Sequence, residues 1–360
     1  MSIESQLKRD GIIAIEKLDE STIDNIALYV SEKISETYSS YGFTKEDLFD
    51  EITTIPMFIA NIPQGFSEAS YFYKNQSIYF RDGIGFNAMK KFAIHECIHH
   101  LQEVRDDKGQ IQKMGLYDFT SKPNGEALNE AAVQIISSNI LESTYEQVTY
   151  FGVTFSTISP DYYPMLCNLV NQMAYITGED LLYKSTFSGS TTFKDAFVEK
   201  CGIKAFNKII SNLEKILKYE EIIVHDQNKL FEKDLKDSKV EKYNKRINYN
   251  KDLIKKIFLD TQELILTSYY DNTLKSINTK EEADSFRSSL FNYKELMGTT
   301  DNYYFIENYY VDMMKKIDMK LDNIDASTYL VPHKESKFLK ILNFIKNIFS
   351  KKSNSEELNK

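Results

Sequence analysis

The 360-residue chain has no tryptophan, three cysteines, six prolines, 13 glycines and five histidines. So few prolines and glycines exclude a collagen-like or linker-like chain. Cys97, Cys167 and Cys201 are odd in number and lack CxxC spacing, so neither a disulfide framework nor a cysteine zinc knuckle is legible. No apolar run approaches the ~18 residues that a membrane-spanning helix needs. The opening MSIESQLKRDG lacks the apolar segment of a secretory signal, so the expected location is the cytoplasm.

Apolar residues are plentiful. At 42% hydrophobic and 13% aromatic, the chain can bury a sizeable core, which excludes wholesale disorder. An excess of 53 acidic over 44 basic side chains, net -9, argues against a nucleic-acid partner, whose phosphates call for a basic face. The length suits two domains, or one with a long appendage.

Residues 21–38 pattern as an amphipathic helix capped by Ser21 or Thr22. Residues 44–60 pattern as a second helix, interrupted at Pro56. In ASYFYKNQSIYFR, residues 69–81, two aromatic-rich runs flank Lys74, Asn75 and Gln76, which predicts a β-hairpin. Helices are expected over 87–105 and 126–142. Helical patterns resume after Pro160 and Pro164, and from about residue 216 they become long and charged. The expected class is α+β and predominantly helical, with a small hairpin sheet before the central helix and a helical C-terminal region. The expected boundaries are 1–215, 216–332 and 333–360.

The chemistry concentrates in AIHECIHHLQ, where His95, Glu96 and His99 stand in HExxH order. Histidines four apart on a helix share a face, and two neutral imidazoles so placed can reach one zinc ion. The glutamate beside the first histidine is suited to take a proton from water and pass it to a leaving amine. With five histidines in the chain, a chance match is expected at roughly the one-percent level or below. At about 100° per residue, Ile94, Cys97, Ile98, Leu101 and Val104 cluster on a different side, so one face can pack while its neighbour presents the ligands. Cys97 is expected to be a small buried hydrophobe. His100 lies four residues beyond Glu96 and can hydrogen-bond it or shape the cleft. His225, in a charged segment, is expected at the surface.

Catalytic zinc sites usually have three protein ligands and an open position. No third histidine follows closely, so the search moves to GEALNEAAVQIISSNIL. Glu126, Glu130, Gln134 and Ser137 form a narrow polar stripe on an otherwise mostly apolar helix, as expected of carboxylates that have a partner or a metal. HECIH followed by LNEAAVQ resembles the gluzincin branch of zinc metallopeptidases over about residues 65–142. The order and spacing are also similar to those of small intracellular bacterial metallopeptidases. The resemblance implies a zincin fold and a third ligand on the next helix, matched best by Glu130. Glu126 is the alternative ligand, or a residue that orients a ligand histidine. The acidic residue usual after the third ligand is missing, with Val133 and Gln134 in its neighbourhood. Tyr162 and Tyr163, in SPDYYP, are the candidate phenols for an oxyanion.

In KFLKILNFIKNIFSKK, Phe338, Ile341, Leu342, Ile345, Ile348 and Phe349 recur at helical spacing among lysines. Such a segment can lie on an anionic membrane, dock on a partner or pack on its own domain. The expected activity is a zinc-dependent peptidase acting on peptide or protein substrates. The competing expectation is a degenerate zincin serving as a membrane-associated or partner-binding helical module.

Overall fold

The computed structural model describes residues 3–330 apart from 10, 64, 66, 121–123, 232–234 and 301–303. The basic amphipathic segment over 334–360 lies outside the described residues. The chain is α+β and mostly helical. It opens with α1 (Ile3–Arg9), β1 (Ile13–Lys17), α2 (Glu20–Tyr38) and α3 (Lys45–Thr53), followed by β2 (Met57–Asn61), β3 (Ala69–Phe72) and β4 (Ser77–Arg81). These strands form one sheet in the order β1-β2-β4-β3, with β2 and β4 parallel and the outer pairs antiparallel. The expected hairpin is therefore β3–β4, turning at Gln76 with a left-handed φ of 52°. Strand β3 ends the sheet and packs beside α4 (Phe86–Leu101), the helix that carries the HExxH residues.

Several boundaries differ from expectation for identifiable reasons. Asp19, rather than Ser21 or Thr22, caps α2, its side chain accepting from Thr22 N at 2.9 Å. The helix expected over 44–60 stops at Thr53. Pro56 follows, and MFIAN pairs with β4 as an inner strand. A five-residue apolar run reads equally well as strand or helix until a partner strand decides it. Helix α4 ends at Leu101 instead of 105 because β5 (Glu103–Arg105) pairs with β6 (Ile111–Met114), which pairs in turn with β7 (Tyr117–Asp118). Val104 consequently leaves the apolar face and is 40% exposed. The next helix, α5 (Glu126–Ile140), stops two residues short of the expected end.

A hairpin, β8 (Glu146–Tyr150) and β9 (Val153–Thr157), leads into α6 (Pro164–Thr177), α7 (Glu179–Ser188) and α8 (Thr192–Cys201). The long helices are α9 (Ile203–Leu230), α10 (Asp237–Ser276), α11 (Lys280–Met297) and α12 (Tyr304–Leu330). The boundary expected at 215/216 falls inside α9. Leu213 and Ile216, on either side of it, belong to the same apolar cluster as Ile94 of α4, Ile136 of α5 and Phe258 of α10. Among the described residues no helix is long and apolar enough to cross a membrane.

Two devices set the site helices. Ile94, Cys97 and Ile98 are wholly buried, and burying each isoleucine contributes ~1.5–3 kcal/mol. That fixes the rotation of α4 and leaves His95, Glu96 and His99 on its other side. Helix α5 begins after Gly125, whose φ of 92° is left-handed and whose missing Cβ would run into the carbonyl of Leu116. Gly125 has no side chain with which to cap the helix. The cap comes from α9, where Glu214 Oε1 accepts from Gly125 N at 2.9 Å and from Ala127 N at 3.3 Å.

Candidate metal centre

His95 and His99, one turn apart on α4, meet Glu130 from α5. Their Nε2 atoms are 3.1 Å apart. Each lies 3.4 Å from a Glu130 carboxylate oxygen, His95 from Oε2 and His99 from Oε1. A tetrahedral ion with arms of about 2.0–2.1 Å separates its donor atoms by about 3.3–3.4 Å. The nearest donor atoms stand close to that spacing, each histidine facing a different Glu130 oxygen, and two imidazoles with one carboxylate form a donor set that could hold a divalent metal. These three residues could hold a metal ion, one donor atom from each lying within 4.8 Å of the others.

The electrostatics follow from burial and proximity. Burial acts to raise the Glu130 carboxyl, but the two imidazoles outweigh it and hold the group well below the usual carboxylate range. Burial acts to lower the His99 imidazole, and the Glu130 carboxylate overcomes that and raises it. Glu96, 6% exposed, is held above its ordinary value by burial, with His95, His99 and a backbone N–H acting in the opposite direction. That N–H belongs to Tyr71 on β3, 2.6 Å from Glu96 Oε2.

Further contacts orient these side chains. Gln134, one turn beyond Glu130, presents Oε1 3.0 Å from His95 Nδ1, while its Nε2 donates to Ser138 Oγ at 3.4 Å. An amide oxygen at Nδ1 makes that nitrogen the protonated one and leaves Nε2 facing Glu130. Gln102 and Asn129, both buried, exchange amide hydrogen bonds at 3.0 and 3.4 Å and tie the end of α4 to α5 beside Glu130.

The sequence-derived candidates do not all come together. Glu126 lies one turn before Glu130, near Tyr117, and it is not in the group that could hold a metal. Its carboxyl is raised by burial and by the carboxylates of Glu130, Glu214 and Glu221. Tyr163, with a left-handed φ of 50°, lies near Glu130, and burial together with Glu130 and Glu96 pushes its phenol well above the ordinary value. Tyr162 lies further out, its ring edge-on to Phe92 at 5.8 Å. His100 does not bond Glu96. It turns to the Tyr71 hydroxyl and to Glu51 of α3, at 3.0 and 2.9 Å. His225 is surface-exposed beside Asp226, and Cys97 is fully buried.

The group opens into a cavity of about 600 Å³, within the ~300–1,000 Å³ usual for ligand pockets. Its walls combine β3 (Ser70, Tyr71), α4 (Phe92, Glu96), the end of α5 (Ser137, Leu141) and the 158–163 segment with both tyrosines. Tyr71, Glu214 and the role of Gln134 were absent from the sequence reading. The first acts through its backbone and the second from 89 residues away. The only available signal was the place of Gln134 in the polar stripe. Compared with protein-family models, curated proteins and solved structures, the chain matches none.

Proposed function

We propose that the protein is a zinc-dependent peptidase of the gluzincin type, acting on peptide or protein substrates in the cytoplasm. The observation that carries this reading is the meeting of His95, His99 and the two Glu130 carboxylate oxygens, with nearest separations of 3.1–3.4 Å, in a cavity that Glu96 also lines.

His95, His99 and Glu130 hold the metal, and Gln134 keeps His95 in the tautomer that offers Nε2. Zinc held there would supply Lewis acidity, polarising a scissile carbonyl and lowering the pKa of water toward about 7. Glu96 takes the proton of the attacking water on its carboxylate and returns it to the leaving amine nitrogen. A buried carboxylate held above its ordinary pKa suits that double duty, since it binds the proton tightly enough to carry it. The Tyr163 phenol, beside Glu130 and on the cavity wall, donates to the oxyanion. Tyr162 helps to form the outer wall.

The test uses the zinc-loaded full chain and a pool of quenched fluorescent peptides. Glu96→Gln is expected to retain zinc and lower kcat by ~10²–10⁴-fold. Undiminished hydrolysis by that variant refutes the base assignment, and no hydrolysis by the wild type refutes the peptidase reading.

A further inference from the structure

Tyr71 touches the HExxH region at both of its ends. Its backbone N–H donates to Glu96 Oε2 at 2.6 Å, and its phenol oxygen lies 2.9 Å from Glu103 Oε1 and 3.0 Å from His100 Nδ1. A carboxylate only accepts, so the phenol gives its proton to Glu103 while its oxygen accepts from the Nδ1–H of His100. Glu96 and His100 stand one turn apart on α4 and Glu103 opens β5 just beyond it, and one tyrosine reaches all three.

The far anchor is itself fixed. The Glu103 side chain is 4% exposed, and its Oε2 accepts from Arg105 at 2.7 Å and from Gln76 at 3.2 Å. Arg105 also donates to the Tyr73 carbonyl at 2.6 Å, which closes the network back onto the chain just past β3. His100 Nε2 meets Glu51 of α3 at 2.9 Å. Strand β3 is the sheet's edge, bonded on one side only to β4, so the ladder leaves the Tyr71 N–H to Glu96.

We propose that Tyr71 is a positioning residue for the base: its phenol pins β3 to the HExxH helix, and its N–H then holds one carboxylate oxygen of Glu96 where that side chain lines the cavity. A glutamate has three rotatable bonds, and a base must come within about 2.6–3.2 Å of the proton it takes. A misplacement of about 1 Å costs up to ~10²-fold in rate, so a fixed strand N–H is a direct way to limit wandering. The kinetic half of the proposal rests on the reading of Glu96 as a base, whereas the contact itself does not.

The experiment is hydrogen exchange at single-residue resolution on the full chain, zinc-loaded, for wild type, Tyr71→Phe, Glu103→Gln and Glu96→Ala. Tyr71→Phe is expected to speed exchange of the residue-71 amide ~10-fold, about one hydrogen bond's worth. Glu103→Gln keeps the side-chain shape and is expected to act in the same direction but less. Glu96→Ala removes the acceptor and is expected to have the largest effect. On the peptide pool, Tyr71→Phe is expected to lower kcat ~10-fold with KM within ~2-fold and zinc content unchanged. Unchanged residue-71 exchange in Glu96→Ala overturns the contact. A raised KM with unchanged kcat in Tyr71→Phe overturns the positioning role. If the wild type cleaves no peptide, the peptidase reading fails separately, and the exchange result alone decides the contact.

Discussion

Replacing Glu214 by alanine removes the cap that α9 lends to α5, and the size of the effect can be worked out from the contacts. Glu214 Oε1 satisfies Gly125 N and Ala127 N at 2.9 and 3.3 Å, where Gly125 has no cap of its own. An N-cap is worth ~1 kcal/mol, within about 0.5–2. A carboxylate at a helix N-terminus adds ~0.3–1 kcal/mol. Opposing these, Glu214 raises both Glu126 and Glu221, so its loss relieves some repulsion. The expected net cost is ~1–2 kcal/mol. At ~2.1 cal/mol/K per residue, unfolding 360 residues carries an entropy of ~0.8 kcal/mol/K, so the melting midpoint should fall by ~2 °C. Glu214→Gln keeps an acceptor oxygen and should stay within ~0.5 kcal/mol of wild type. The assay is thermal melting of metal-free protein, since bound metal adds stability by mass action and would mask the difference. If Glu214→Ala melts at or above the wild-type temperature, the trans cap is not a stabilising contact.

Two further outcomes are expected. Asp226 is fully buried against Arg246, whose hydrogen bonds and charge overcome the opposing effect of burial and hold the carboxyl below its ordinary value. That pair stabilises the fold above pH ~4, and the contribution is lost as pH falls through the lowered folded pKa. Arg246→Met should cost ~1–2 kcal/mol at pH 7, between the values for exposed and buried pairs because the arginine is partly exposed, and flatten the acid side of the stability profile, and a denaturant series from pH 3 to 7 showing an unaltered slope would contradict it. Gln134→Leu should weaken zinc binding by ~10–100-fold in competition with a chromogenic chelator, because nothing then holds His95 Nδ1. Equal affinity in the two proteins would mean that the glutamine has no orienting role.

Side chains whose chemistry is local in the chain were legible from sequence. His95, Glu96 and His99 share a helix, and the 3.6-residue period fixes their common face without any knowledge of the fold. Glu130 and Gln134 stood out because a polar stripe on an apolar helix demands a partner, although nothing in the stripe chose between Glu126 and Glu130 as neighbour of the histidines. The β3–β4 hairpin was legible from its two aromatic-rich runs. What escaped depended on tertiary pairing. Residues 57–61 and 103–105 become strands only because partners lie beside them, and His100 turns to Glu51 because the tertiary fold brings that side chain within 2.9 Å. The Tyr71 N–H carries no residue-type signal at all. Glu214 looks like any glutamate on a long charged helix until that helix is laid against Gly125. The division expected at 215/216 treated the helical C-terminal region as an appendage, whereas the helix that crosses it caps α5, which bears Glu130.

The central claim is that His95, His99 and Glu130 bind zinc together, and elemental analysis of the full chain purified without chelators tests it most directly. The expected result is one zinc per chain in the wild type and in Glu96→Gln, with zinc lost in His95→Ala and in Glu130→Ala but kept in Glu126→Ala. A wild type that holds no zinc, or zinc that survives His95→Ala unchanged, would contradict the assignment.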